Sequence, residues 1–401
     1  MTQTIAWVIN RLDAIGGGER LLLEGAKYYR DRGYRVLIFT WFFDERALFG
    51  GTYENLDIIV LKTEEVARSN IIGRALSRVK TLNKLRQALA EHNVSKVFVQ
   101  GEYDVALVYI ATFLTGIPYR FLIFGQTFQY PHDQAKYALI FRRHLKEIVK
   151  SRPGYAETIA LNPPKIPLAH RLANEFICFV RFLAVRHAER RFSFSRQIQW
   201  ETELLFGCTT TITSGAFALD LLRRQDFPRE VLARLQMEPG NYILSLSRLD
   251  RKKRIDSIIR GFAASGTDKI LVLAGTGPDE DRLRECAINA GVAAQVIFAG
   301  YVDENEMLPL KHYAALFVSM DVGDYDISPL EALAVGTPTL CPTDFDAVAE
   351  LRATAGFVIV TPEEHAIAKA ITDIIAAPPA VDRSGLALWS WNTYFDTLIA
   401  D

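Results

Sequence analysis

Apolar residues fall into two rhythms along this chain. Short, nearly continuous runs occupy residues 5–9, 35–41, 96–100 and 119–124, separated by longer stretches in which apolar positions return every three or four residues. Continuous runs mark strands buried on both faces, as in a parallel sheet, and the wider spacing marks helices that lay one face on it. The spacing predicts a first helix over residues 19–32. A short strand at 191–194 leads into a helix over 196–206, which Gly207 can terminate. Beyond residue 240 the alternation is cleaner. Strands are predicted at 242–246, 269–274, 295–299, 315–319 and 339–341, with helices at 255–264, 280–290, 304–313 and 329–335. Strand–helix units of this length predict parallel sheets whose ligands sit at the carboxyl ends of the strands.

A chain of 401 residues is long for one core and fits two α/β domains. Charge divides it. Residues 1–200 carry 29 Lys and Arg against 18 Asp and Glu, whereas residues 201–401 carry 17 against 29. The domain boundary is expected near the same place, with residues 1–215 in one domain and 216–384 in the other. A basic first domain implies an anionic partner such as phosphate or a membrane surface; nucleic acid is set aside, because no recognition motif accompanies the charge. Cys178, Cys208, Cys286 and Cys341 lie far apart without a Cys-x-x-Cys pair, which argues against structural zinc and suits a reducing cytoplasm. The run at 5–9 is too short for an export leader, and none reaches the roughly 20 apolar residues that cross a bilayer. The nearest, 176–185, is interrupted by Arg181. A cytoplasmic location is expected.

Candidate chemistry gathers in four stretches. In Asp326-Ile-Ser-Pro-Leu-Glu331-Ala-Leu-Ala-Val-Gly336-Thr-Pro338, Ser328 reads as an N-cap, Pro329 as the first helical residue and Glu331 as the third. Ser-x-x-Glu is then a capping box, which alone accounts for Glu331. The same geometry has a second use. Free N–H groups at a helix start beside a strand's carboxyl end can hold a diphosphate, and a carboxylate one turn in can accept ribose hydroxyls. Arg248 and Lys253 follow the strand at 242–246, where two cations can neutralise a diphosphate; equally, with Arg251, Lys252 and Arg254 they can form a solvated basic turn. Gly275 and Gly277 read as a structural tight turn. Gly16-Gly-Gly-Glu-Arg20 stands too far from the first strand, with Leu21 in place of a third glycine, to be a dinucleotide fingerprint.

Together these stretches resemble the retaining GT-B glycosyltransferases, in particular glycosyltransferase family four (glycosyl transferases group 1). The resemblance is strong over residues 242–341, looser elsewhere and weakest over 136–190. It implies an α/β GT-B fold: two Rossmann-like domains with parallel sheets facing a central cleft. The first would be acceptor-side, with residues 385–401 packing back on it, and the second would bind the donor. In the family's Glu-x7-Glu signature, Glu331 matches the second glutamate, which holds the nucleotide ribose. Gly323 stands where the first glutamate contacts the donor sugar, so Asp324 is the first substitute considered and Asp321 the second. The resemblance assigns Arg248 and Lys253 to the donor phosphates, and Ile327, Ser328 and Leu330 to the donor-binding helix start. It places Val302, with Tyr301, at the nucleobase, and Gly17 and Gly18 at the diphosphate. A family histidine near the transferred sugar is missing; Gly125 or Gln126 stands in its place, and His132 is the nearest candidate.

The expected activity is transfer of a sugar from a nucleotide-diphosphate donor to a hydroxyl acceptor with retention, without metal or other cofactor, in cell-surface polysaccharide or lipid-linked glycan assembly. The alternative, prompted by Gly323 and the missing histidine, is a catalytically degenerate homologue acting as a binding or scaffolding subunit. Residues 68–89 read as an amphipathic helix whose basic face is solvated or meets anionic lipid headgroups. Peripheral contact with the inner face of a membrane is therefore part of the expectation.

Overall fold

The structure, a computed structural model, describes residues 3–13, 16–45, 55–61, 71–113, 115–123, 147, 167–323, 325–346 and 349–400. The chain forms two compact units: unit 1 is Met1–Thr213 with Phe395–Asp401, and unit 2 is Ser214–Tyr394.

Unit 1 is built on a seven-stranded sheet of β1 (Thr4–Leu12), β2 (Arg35–Phe43), β3 (Asp57–Val60), β4 (Val94–Gln100), β5 (Tyr119–Ile123), β6 (Arg190–Ser193) and β7 (Thr211–Ile212). Its order is β3-β2-β1-β4-β5-β6-β7, and every pairing is parallel. The helices are α1 (Gly17–Asp31), α2 (Ile71–Glu91), α3 (Glu102–Phe113), α4 (Leu168–His187) and α5 (Arg196–Phe206). The continuous apolar runs of β1 and β4 are buried on both faces, as a sheet covered by helices on both sides requires. α5 begins where the Ser195 hydroxyl accepts from the Ile198 N–H at 3.1 Å and ends at Gly207, whose φ of 62° suits a residue without Cβ. Trp7, Tyr29, Phe98 and Phe395 pack as one aromatic cluster under α1.

Unit 2 repeats the plan with six strands: β8 (Tyr242–Leu246), β9 (Ile270–Ala274), β10 (Val296–Gly300), β11 (Leu316–Val318), β12 (Thr339–Pro342) and β13 (Phe357–Val360), in the order β10-β9-β8-β11-β12-β13 and again parallel throughout. Its helices are α6 (Glu230–Leu235), α7 (Ile255–Ser265), α8 (Glu280–Asn289), α9 (Glu304–His312), α10 (Ile327–Ala334), α11 (Ala349–Arg352) and α12 (Glu364–Ala376); α13 (Trp391–Ile399) begins in unit 2 and ends in unit 1. In both units the chain runs outward over three strands and then returns to the other side of the first. A topological switch point results between β1 and β4 and between β8 and β11, where loops diverge and leave a crevice for a ligand.

Three strands escape the apolar pattern. β3 is a four-residue edge strand with one short apolar run, β7 has two residues, and β13 is another four-residue edge strand. β1 also runs three residues further than its apolar stretch, to Leu12, because pairing with β2 continues through Arg11 and Leu12. Among the described residues, no helix is long and apolar enough to cross a membrane; the run at 176–185 lies within α4.

Candidate functional site

At the switch point of unit 2, β8 ends at Leu246 and the chain turns through Arg248 into a short 3₁₀ turn, Arg251–Lys253, capped by the Asp250 carboxylate accepting from the Lys252 N–H at 3.1 Å. Two glycines hold this loop. A Cβ on Gly275 would stand 2.0 Å from the Ser247 carbonyl oxygen, and one on Gly277 would stand 2.1 Å from that of Leu249. Only glycine lets the loop after β9 lie directly on the loop after β8. Backbone bonds from Leu249 to Thr276 (3.0 Å) and from Asp279 to Leu249 (3.1 Å) fasten the two. Arg248 is exposed at this rigid edge.

The loop after β11 closes the other side. The Val322 N–H donates to the Lys252 carbonyl at 3.0 Å, and the Lys253 ammonium is ion-paired with Asp321, whose second oxygen accepts from the Gly323 N–H at 3.2 Å. Burial acts to lower the Lys253 pKa, but Asp321, Asp326 and Asp250 outweigh it and hold the ammonium firmly charged. Next in the chain, Arg254 adopts a left-handed backbone (φ 47°) and pairs at 2.5 Å with Asp344 beyond β12, both side chains buried. The carboxyl ends of β8, β11 and β12 are thus cross-linked by two ion pairs.

The start of α10 differs from the sequence expectation. The cap is Asp326 and not Ser328. One Asp326 oxygen accepts from the Ser328 N–H at 3.2 Å, the other from the Ser319 hydroxyl at 3.0 Å, so the cap is anchored to the end of β11. The helix opens at Ile327, two residues earlier than predicted, and Glu331 becomes its fifth residue instead of the closing member of a capping box. Asp prevails as the cap because its second oxygen has a partner on the adjoining loop. Glu331 is instead buried and ion-paired with Lys311 of α9, which also donates to the Ser328 hydroxyl at 3.3 Å. Leu330 and Val302 are buried in the apolar packing of unit 2, while Tyr301 is exposed. Arg248, Lys253, Ile327, Ser328, Leu330 and Glu331 therefore lie at or just beyond the carboxyl ends of β8 and β11. Val302 follows β10.

Gly17 and Gly18 belong to unit 1, as the first two residues of α1. The first helical bond runs from the Arg20 N–H to the Gly16 carbonyl, so the glycine N–H groups precede the helical ladder. Gln100, at the end of β4, donates to the Gly18 carbonyl at 2.9 Å. Beside it, across the β1–β4 switch point, the Asn10 amide reaches Asp104 at 3.5 Å. Asp104 is buried, and its Oδ2 has no hydrogen-bond partner among the described residues. Burial pushes its pKa up to about 7, against the opposing influence of Asn10 and Arg181. Asp324 and His132, with Gln126, lie outside the described residues.

Three of these features were available as sequence signals. Lys311 follows Pro309 and Leu310 on the inward side of α9, where a buried charge demands a partner. Asp326 precedes the apolar helical run as any N-cap does. Asp104 stands in the first turn of α3, directly after the buried strand β4, where a lone carboxylate belongs to no motif.

Comparison with known proteins fits this geometry. Residues 231–385 match the family model described as "Glycosyl transferases group 1". A segment is 30% identical over 169 residues to the alpha-monoglucosyldiacylglycerol synthase of Streptococcus pneumoniae, covering 41% of this chain and 38% of that protein. Another is 29% identical over 171 residues to the GDP-mannose-dependent alpha-(1-6)-phosphatidylinositol monomannoside mannosyltransferase of Mycolicibacterium smegmatis, covering 38% of this chain and 44% of that protein. The matched segments thus span less than half the length of these relatives. Over the whole chain, the crystal structure of Anabaena Alr3699/HepE in complex with UDP-glucose is similar with a TM-score of 0.69 at 14% identity, covering 98% of each chain. The two parallel sheets are those of the GT-B fold.

Proposed function

We propose that the chain is a glycosyltransferase that moves a sugar from a nucleotide-diphosphate donor to a hydroxyl acceptor, with the nucleotide diphosphate bound at the β8–β11 switch point of unit 2. The observation that carries this reading is the placement of Lys253 there. A held ammonium, the exposed Arg248 and the opening N–H groups of α10 meet at the carboxyl edge of the sheet. They do so inside the segment that matches the group 1 glycosyltransferases. Cations and helix-start N–H groups stabilise a departing diphosphate most as its negative charge grows.

In this reading Glu331, fixed by Lys311, meets the ribose and backbone near Val302 meets the base, while the Gly17–Gly18 helix start of unit 1 is a further group suited to an anion. In this reading leaving-group charge is met by protein cations rather than a metal, and transfer goes with retention by front-face attack, the family-four mode. Asp324 and His132 remain proposed groups near the transferred sugar. The relatives whose names include lipid-linked substrates, together with the basic residues 1–200, favour an acceptor in glycan or lipid-linked assembly, with peripheral contact at an anionic cytoplasmic membrane face.

The test is donor hydrolysis or transfer by the purified full chain across a panel of nucleotide sugars. Arg248→Ala and Lys253→Ala are each expected to lower turnover by about a hundredfold. Full activity in both variants would sink the site assignment. The second reading, a non-catalytic binding subunit, is favoured by one observation: Lys253 is already engaged by an internal carboxylate. Nucleotide-sugar binding with no turnover on any acceptor would select it.

A further inference from the structure

At 20 residues α4 is about 30 Å long, roughly twice the length of the strands β5 and β6 that it connects. Its last residue is beside α3, where the His187 ring lies 5.3 Å from that of Tyr109. Six residues back, the buried Arg181 is level with the first turn of α3, close enough to act on the Asp104 carboxyl. Because α3 starts directly after β4 ends, residues 168–180 run on past the carboxyl edge of the sheet, for about 20 Å. This projecting half carries Leu168, Leu172, Phe176 and Phe179, which are 67%, 60%, 67% and 52% exposed. At about 100° per residue the four fall within an arc of about 80°, opposite the buried Cys178, Arg181 and Ala184. One exposed leucine is ordinary. A ridge of two leucines and two phenylalanines along one helix face marks an interaction surface.

We infer that this α4 ridge lies in the interfacial layer of an anionic lipid bilayer, its apolar side chains among the acyl chains. The inference rests on the reading of the acceptor as lipid-linked. Charge selects the partner. α3 packs against both α2 and α4, and the three helices together carry eight Lys and Arg against four Asp and Glu. Lys80 and Lys84 stand exposed on α2, next to an exposed Val79. Cations on these helices repel a second copy of the same surface and draw in anionic headgroups. A convex ridge also suits a fluid layer that closes around it. Charge sets the depth as well. Arg171, Glu175 and Arg181 interrupt the sequence of α4, so the helix lies in the interface and does not cross the bilayer. The ridge projects from the edge of the sheet that holds the β1–β4 crevice, so a bilayer held there brings membrane hydroxyls to that edge of unit 1.

The experiment is sedimentation of the full chain with vesicles of phosphatidylcholine alone and of phosphatidylcholine mixed with phosphatidylglycerol. The wild type is expected to bind the anionic vesicles at least about tenfold more tightly than the neutral ones. Phe176→Ser/Phe179→Ser should weaken binding to the anionic vesicles by about tenfold or more, because the apolar area that enters the lipid is lost. Phe176→Leu/Phe179→Leu keeps that area and should keep most of the binding. Both positions are exposed, so each variant should melt with the wild type, which a thermal scan checks. Binding undiminished by the serine variant overturns the inference, as does a wild type that binds neither kind of vesicle. A wild type that is dimeric without lipid, and becomes monomeric in the serine variant, overturns it too by making the ridge a contact between copies. The lipid-linked reading fails separately: a wild type that binds vesicles through the ridge, yet transfers sugar only to water-soluble acceptors, refutes that reading and upholds the surface.

Discussion

Lys311 and Glu331 form an ion pair inside unit 2, their side chains 0% and 2% exposed, which joins α9 to α10. Desolvating two charges is costly, and a buried pair returns that cost only when geometry and further hydrogen bonds are good. Here the ammonium also meets the Ser328 hydroxyl, and the Lys311 carbonyl accepts from the Thr337 hydroxyl at 2.7 Å. Removing one partner strands the other. Lys311→Met should therefore destabilise unit 2 by about 3–5 kcal/mol, and the double variant Lys311→Met/Glu331→Leu should recover most of it. Urea denaturation followed by circular dichroism measures both. A single variant as stable as the wild type would mean that the pair is not buried as described.

The buried carboxyl of Asp104 gives stability a pH dependence of definite sign. Its pKa in the folded chain is pushed up to about 7, above the ordinary 3.8, so the folded state holds a proton that the unfolded state has already lost. This group's contribution is most favourable below about pH 4 and is progressively lost as pH rises to about 7, costing on the order of 4 kcal/mol above that. Asp104→Asn cannot ionise. It should match the wild type near pH 4 and exceed it at pH 8 in denaturant midpoint, with the difference opening across that interval. A constant offset at all pH values would show that the carboxyl does not titrate there.

Gly275 has a φ of 125° and no room for a Cβ beside the Ser247 carbonyl. Gly275→Ala should destabilise unit 2 by at least about 1–3 kcal/mol through overpacking, with backbone strain in addition. The displaced segment is the one that carries Arg248, so nucleoside diphosphate affinity should fall although position 275 bears no ligand-binding side chain. Titration calorimetry on the folded variant checks this. Unchanged affinity would show that the Arg248 loop is not set by its packing on the loop after β9.

The fold was legible in the sequence wherever one element carried its own signal. β8 and α5 were located to the residue, because a continuous apolar run and a Ser195-to-Gly207 bracket each need no tertiary information. Edge strands β3 and β13 were not, since a four-residue run becomes a strand only once a neighbour supplies its ladder. At the candidate site, Arg248 and Lys253 stood out by spacing from β8. Ser328 was misread as the cap because two eligible residues, Asp326 and Ser328, lie two apart. The choice between them was made by Ser319, which belongs to the preceding strand end. The partners of Lys253 and Glu331 lie 68 and 20 residues away in the chain and emerge only from the order of the sheet.

Unit 1 depends on the last residues of α13 for its own closure. Phe395 is buried against Trp7 and Tyr29, the Tyr29 hydroxyl donates to the Phe395 carbonyl at 2.8 Å, and a Cβ on Gly25 would already stand 2.4 Å from Trp7. No spare volume exists on the α1 side to refill a gap there. Phe395→Ala should therefore cost about 3–5 kcal/mol, the upper range for a buried aromatic whose cavity cannot collapse. The loss should extend to Arg120, which is buried near the start of β5 and donates to the carbonyls of Leu398 and Ala400. If α13 loosens, that guanidinium loses its carbonyl partners there and its pairing with the Glu189 carboxylate at 2.8 Å is left to hold it. Hydrogen exchange should accordingly show protection falling in α1 and β5 together in the Phe395→Ala variant. Loss confined to α13 would show that the helix end rests on unit 1 without holding it.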